Sequence, residues 1–481
     1  MTGYRPSWYA QTMVPVPERG PLVADLDVDV CVVGAGLAGL TVALELARRG
    51  WSVAVLERHQ VAWNASGFNT GFALPGFAAD MEAVVQRVGL EPAKRLWALS
   101  EAGLDYVRAT IHATGMPGVD PVEAGWLKVS KVDEAEEDLA AVRLIGQEFG
   151  GRIEGWPVDR VREVLKSNRY FHAVHVPHAF HIHPLNYAFG LAAAAEAASA
   201  RIFQETPALS IDASGVRKRI ETPQARLRAD HVVLAGNVNL GKIMPWISGT
   251  LTPVWTYVAV TQPLGTRLAD AVAFAGAVSD TELADNHYRI VGGDRLMWSG
   301  RATTWERNPR RYVRALKADI AAVYPQLGEV EVEYAWTGVL GNPLHRMPQI
   351  GEFAPRMWLA SGFGGHGLNT TAMAGNILSR AIADGDDTWR EFVPFELVWA
   401  GGKIGRAAAQ VYYWWYRTHE RRKARESRKR EAEYRRDEER EADEPQVAAP
   451  PAAEPEPQDA ARATHSKPRQ RPSRRATHTP R

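Results

Sequence analysis

One cysteine, Cys31, stands in 481 residues. An intramolecular disulfide is therefore excluded, and a reducing, cytoplasmic setting is expected. Inside an apolar run, Cys31 reads as a small buried hydrophobe and not as a nucleophile. Long hydrophobic runs are missing as well: none approaches the roughly 20 residues that cross a bilayer. The opening MTGYRPSWYAQTMVPVPERG lacks the apolar core of a secretory leader. Nor does charge of one sign dominate. Lys+Arg 57 against Asp+Glu 56 leave a net +1, so no field of the whole molecule points to nucleic acid. His172, His175, His178, His181 and His183 recur closely. Prolines interrupt them and no acidic or cysteine partner stands among them, so no metal is expected.

What the chain does have is concentrated in Val28 to Glu57, VDVCVVGAGLAGLTVALELARRGWSVAVLE. Val28–Val33 reads as a buried parallel strand. Gly34-Ala35-Gly36-Leu37-Ala38-Gly39 fits the G-x-G-x-x-G fingerprint of dinucleotide binding, a helix follows, and Ser52–Leu56 reads as a second strand ending in Glu57. Each part has a physical task. Gly34 permits the tight turn, and Gly36 lets backbone approach a pyrophosphate that the helix start stabilises. Gly39 allows close packing of helix on strand, and Glu57 can accept hydrogen bonds from a ribose hydroxyl. The negative charge of Glu57 argues against NADP but does not separate FAD from NAD.

Further along, Ala65 to Phe72 reads as a loop of small residues in contact with a ligand. Amphipathic helices follow, Glu91 to Thr114 among them, and Pro184 opens a long alanine-rich helix. Ala229–Asn237 is an apolar strand running into a glycine turn. The later strands Thr252–Gln262, His287–Val291, Arg295–Gly300 and Val330–Thr337 alternate as antiparallel strands do. Met357–Ala360 then runs into a second glycine loop, Gly362 to Gly367, and a helix from Leu368. The fold expected is α/β, α+β overall. A discontinuous Rossmann-like dinucleotide domain (27–87, 178–245, 332–398) carries an inserted, mostly antiparallel β-sheet substrate domain (88–177, 246–331). Residues 399–416 form an aromatic helix, either packed on the body or making an interfacial membrane or protein contact. Residues 417–481 are a charged tail, read as a solvated helix and then disorder from Glu444.

These elements resemble the D-amino-acid oxidase superfamily of FAD-dependent oxidoreductases, and within it the gamma-glutamylputrescine oxidoreductase type. The carriers are DVDVCVVGAGLAGL, ASGFNTG, HIHPLNYAFGLAAAA, GNPLHRMPQIGEF and ASGFGGHGLNTTAMAGNILSRAIA. The resemblance implies FAD, and oxidation of an amine or amino acid by hydride transfer to flavin N5, giving an imine that water hydrolyses. It places Gly34, Ala35, Gly36 and Gly39 at the pyrophosphate, and Glu57 and Arg58 at the ribose. Ser66, Gly67, Asn69 and Gly71 pass beside pyrophosphate and flavin. Gly362, Gly364, Gly365 and Gly367 run along the ring, with the helix start at Leu368 aimed at it. Phe68 and Thr70 depart from the family loop, where Arg and Gly are common. No cysteine stands near Gly338 to Leu340, so the FAD is expected to be noncovalent. No lysine stands at Leu296-Met297-Trp298, where related sarcosine oxidases activate oxygen, so oxygen and another acceptor both remain open.

His366, Arg346, Tyr257 and Tyr288 are the candidates for the catalytic pocket, with Arg346 suited to hold a carboxylate. Trp255, Trp298, Trp305 and Trp336 are candidates for an aromatic box around a cationic amine, against their reading as core. Two other functions compete: an NAD-dependent dehydrogenase, and a flavin-binding subunit that uses its charged tail as an interaction module. The substrate expected is a small amine or amino acid.

Overall fold

The computed structural model describes residues 3–133, 140, 142–280 and 286–443. Two compact units are distinguished, residues 1–430 and 431–481. The first holds both large sheets. The described part of the second is the end of a helix that runs Gly402–Asp443.

The strand Leu26–Val33 lies inside a sheet, parallel to Arg226–Leu234 on one side and to Val53–Leu56 on the other. Its continuous apolar run follows from burial on both faces. Arg201–Phe203 extends the sheet beyond Val53–Leu56, and Met357–Ser361 and Gln349–Ala354 extend it beyond Arg226–Leu234. The helix Leu37–Arg48 packs on this sheet, buried from Leu37 to Ala47. Gly39 sets the approach: a Cβ there would meet Gly34 O at 2.0 Å. On its other side lie the helices Pro184–Ala197 and Gly367–Asp384. Ala65–Phe68, expected as loop, is a short helical turn. Asn69 closes it by donating Nδ2 to Ala65 O and Ser66 O, the local side-chain-to-backbone bonding Asn favours.

The second sheet runs Val332–Asn342, Thr252–Thr261, Arg295–Thr303, His287–Val291, Ala277–Asp280, Trp126–Val129, Ala173–Val176, Glu154–Trp156. All its pairs are antiparallel except Ala277–Asp280 with Trp126–Val129. Val332–Asn342, expected in the dinucleotide domain, pairs instead with Thr252–Thr261. Alternation gives this sheet two faces. Val258, Val260, Met297 and Trp336 join the core shared with the first sheet's helices. Tyr257, Ala259, Tyr288, Leu296 and Trp298 point the other way, into a separate core under the helix Arg310–Val323. No described helix is long and apolar enough to cross a membrane.

Arg289 ties the halves together. Its buried guanidinium donates to Thr70 O, to His181 Nδ1 at 2.7 Å, to Tyr9 Oη and to Ile182 O. Tyr9, from a segment ahead of the first sheet, in turn donates to Met297 Sδ. His181 Nε2 donates to Ala275 O, so its Nδ1 must stay an unprotonated acceptor. Burial and the Arg289 charge hold His181 down to about 3 and His183 down to about 4. The five histidines 172 to 183 thus take separate partners. Among the described residues no group of His, Cys, Asp and Glu is arranged to hold a metal. Residues 444–481, expected to be disordered, lie outside the described residues.

Because these histidine pKa values are depressed on folding, the unfolded chain takes up protons first. Stability should therefore be complete above pH 6.5 and fall as pH drops toward 4. Calorimetry at about pH 7.5 and about pH 5 should show a lower melting temperature at the acid value, with a smaller loss in His181→Asn.

Candidate functional site

A long cleft lies at the carboxyl ends of the parallel strands, where open α/β sheets bind ligands. It encloses about 1460 Å³, open solvent at its mouth included. Glu57, Arg58 and His59 line one stretch, and Gly34, Gly36 and Ser66 another. Asn69, Val339, Leu340, Gly364, Gly365 and Gly367 line the rest of the expected wall. Two helix starts meet it. Leu37–Arg48 begins at Gly36 and Gly367–Asp384 begins at His366. Neither cap residue makes a side-chain capping bond, and neither first turn has an acid. Each start thus offers N–H groups and the positive end of a helix dipole to whatever lies in the cleft.

The side chains around the first start are held in place. Glu57 accepts the Ala35 N–H at 2.8 Å on one oxygen and the His59 N–H at 3.0 Å on the other. The carboxylate therefore fixes the glycine turn to the end of the second strand and keeps lone pairs for a ligand hydroxyl. Ser66 Oγ accepts the Leu37 N–H at 3.0 Å. A Cβ on Gly36 would lie 2.8 Å from that oxygen.

The other expected residues have different tasks. Ala35, Gly39, Gly67, Gly71, Gly362 and Leu368 do not reach the cleft wall. Gly67 and Gly71 allow backbone crossings, since a Cβ would meet Ala62 O at 2.5 Å and Ile182 O at 2.2 Å. Leu368 is core, and so is Phe68, whose carbonyl accepts the Trp336 Nε1–H. Tyr257 and Tyr288 are not at the site. Tyr257 stacks on Tyr312 and shares a hydrogen bond with Thr303 Oγ1. Tyr288 stacks on Trp298 and bonds Tyr324 Oη. Each is one residue out of phase with the cofactor-side face. The tryptophan box does not form either. Trp298 and Trp336 are buried on opposite faces, and Arg406 already lies over Trp255 and Trp305 at 5.6 and 5.2 Å.

His366 lies between the cleft residues Gly365 and Gly367. Its Nδ1 is buried with no hydrogen-bond partner among the described residues. Burial, then the charges of Arg346, His287 and Lys128, hold its pKa down to about 4 against the opposing pull of Asp80. Lys128, Ser279 and His287 are cross-strand neighbours in one row. Through Ser299 and Val258 the row continues to Trp336, on the face that packs toward the cleft. Ser279 Oγ bonds both Trp126 Nε1 and His287 Nδ1 at 2.8 Å. Residues missed in sequence also line the cleft: Arg5, Trp63, Asn64, Asn237 and Asn239. Asn237 has a φ of 50° and accepts from Ser361 Oγ. The turn after the Arg226–Leu234 strand was its only signal.

Residues 29–381 match the family described as DAO, FAD dependent oxidoreductase. The "Probable oxidoreductase OrdL" of Haemophilus influenzae is 28% identical over 410 residues, covering 82% of this chain and 93% of that one. Gamma-glutamylputrescine oxidoreductase of Escherichia coli is 28% identical over 385 residues, covering 79% and 90%. Among solved structures, glycine oxidase from Geobacillus kaustophilus superposes with a TM-score of 0.65 at 19% identity, covering 78% of this chain and 99% of that one.

Glu57→Ala removes the acceptor for two backbone N–H groups, a loss of about 1–3 kcal/mol. Calorimetric titration of the apoprotein with FAD should show affinity reduced about tenfold to a hundredfold, with the melting temperature of the apoprotein lowered.

Proposed function

The chain belongs to the DAO family of FAD-dependent oxidoreductases, and from that premise we propose that it oxidises a primary or secondary amine that also carries a carboxylate. A γ-glutamylated diamine fits this class, and a bare diamine does not. The observation that carries the reading is the charge around His366. Arg346, His287 and Lys128 act on it against one carboxylate, Asp80. Neither Lys128 nor the Arg346 side chain has a carboxylate partner among the described residues. This excess of positive charge near His366 would repel a dication and attract an anion.

The residues present suit FAD. Gly34, Gly36 and Ser66 would hold the pyrophosphate, and Glu57 and Arg58 the adenosine ribose. Asn69, Gly364, Gly365 and Gly367 would hold the ring. The sole cysteine, Cys31, is buried in a strand with its thiol pushed up by desolvation, so it offers no covalent link. Bound FAD supplies the two-electron acceptor for the C–N bond. The chain's part is orientation. Neutral His366 stands between two residues of the cleft wall, and the charges of Lys128 and Arg346 draw a carboxylate toward it. With His366 unprotonated above about pH 4, it is no general acid near neutrality. The rise of kcat/KM with pH should then follow loss of the substrate's own ammonium proton.

An anaerobic titration of the holoenzyme with carboxylate-bearing amines and bare diamines tests the reading. Bleaching of the flavin absorbance by the first group and not the second is expected; the reverse would overturn it. Admission of air then separates oxygen from another acceptor. Lys128→Met should raise KM for a carboxylate-bearing amine about tenfold or more with kcat nearly unchanged.

A further inference from the structure

The helix Gly402–Asp443 begins beyond the family match, which ends at residue 381. Up to Arg430 it belongs to the larger unit, and one face holds it there. Gln410 Oε1 accepts the Thr304 N–H at 2.8 Å, Arg406 donates to Thr304 O, and Ser427 Oγ accepts the Asp133 N–H at 3.4 Å. Gln410, Ala424 and Ser427 are buried. The other face of its first turns is apolar and open. Ile404 is 82% exposed, Val411 60%, Trp414 64% and Trp415 59%; Trp399, just before the helix, is 68% exposed. Ile404, Val411 and Trp415 stand at i, i+7 and i+11, one stripe of a helix. The rings form an ordered set, with Tyr412 stacked on Trp415 and Trp415 on His419.

Charge selects the occupant of this face. Residues 402–430 carry ten Lys or Arg and two Glu, and no acid precedes Glu420, although the whole chain is near balance; three of the ten face the body, Arg406 on Thr304 O and Arg417 and Arg421 beside Asp319. A second copy laid face to face would oppose like charges. Anionic lipid headgroups complement them, and tryptophan and tyrosine rings flanked by basic side chains suit the headgroup layer. Since no described helix can cross a bilayer, the contact is with its surface. We infer that Trp399 and the open face of 402–430 seat the protein on an anionic lipid surface. This rests on the exposed face alone and not on the proposed reaction. Gly402, Lys403 and Arg406 also line a second cavity, which shares Arg5, Asn64 and Val339 with the cofactor cleft. The seated helix start therefore adjoins a space that borders the cofactor site.

Sedimentation of the full-length holoenzyme with vesicles tests the inference, using phosphatidylcholine alone and phosphatidylcholine mixed with phosphatidylglycerol. Binding to the anionic vesicles is expected, at least about tenfold weaker on neutral ones and about tenfold weaker in Trp414→Ser/Trp415→Ser. Ile404→Asp is a second, independent variant, and retained flavin absorbance and gel-filtration volume would verify that each is folded. Failure of the wild type to sediment with anionic vesicles at millimolar lipid would overturn the inference. So would equal binding by both variants, or a self-associated wild type that the variants dissolve without any vesicle binding.

Discussion

Backbone N–H groups at two helix starts facing one cleft have to be satisfied, and the rest of the site is arranged around that need. At Leu37 one of them finds Ser66 Oγ. At Gly367 the preceding His366 provides no side-chain cap. Unpaired buried N–H groups are costly, so a chain that leaves both first turns without acids is built for an anion or an electron-rich edge from outside. Packing serves this end. Gly39 lets the first helix lie against its strand, and Gly375, where a Cβ would meet Thr41 at 2.5 Å, lets the two helices touch. Both starts then open on one cleft.

The first helix start was legible in sequence because everything it needs is local. Strand, glycine turn, helix, second strand and Glu57 fall within one short stretch, and the structure keeps their order. The second glycine loop was legible for the same reason. Arg5, Trp63, Asn64 and Asn237 were not, since nothing in their neighbours says that distant turns converge on one cleft. Tyr257 and Tyr288 illustrate a different limit. A strand can be placed correctly, yet a shift of one residue decides which face a side chain takes. His287 and Val258, their neighbours in sequence, are the residues on the cofactor side. Alternation marked the strand at Val330–Thr337 as antiparallel, yet the domain range 332–398 drew it to the dinucleotide side, because pairing, unlike alternation, is not written in the strand itself.

The two sheets divide the electrostatic work. The parallel sheet contributes dipoles and one carboxylate, which suit a phosphate-bearing cofactor with ribose hydroxyls. The antiparallel sheet contributes a polar row, Lys128, Ser279 and His287, with full positive charge at one end. Arg289, two residues beyond His287 on the same face, spends its charge differently. It donates to two carbonyls, a phenol and an imidazole, and a buried cation so surrounded is tolerated without a carboxylate. Arg406 likewise fills the space between Trp255 and Trp305, which a ligand cation would otherwise compete for.

Arg289 also separates two meanings of a domain. The family match begins at residue 29, which marks the part of the chain that homology recognises. The folding unit begins earlier, because Tyr9 occupies one arm of the guanidinium and Val14 N–H is accepted by Asn186 Oδ1. The segment ahead of the first strand is thus tied into the packed body through Tyr9 and Val14. A shorter ancestor or relative lacking it would need some other group at that arm of Arg289, or a different residue at position 289. Covariation between the two places, so distant in sequence, is the evolutionary mark this single contact would leave.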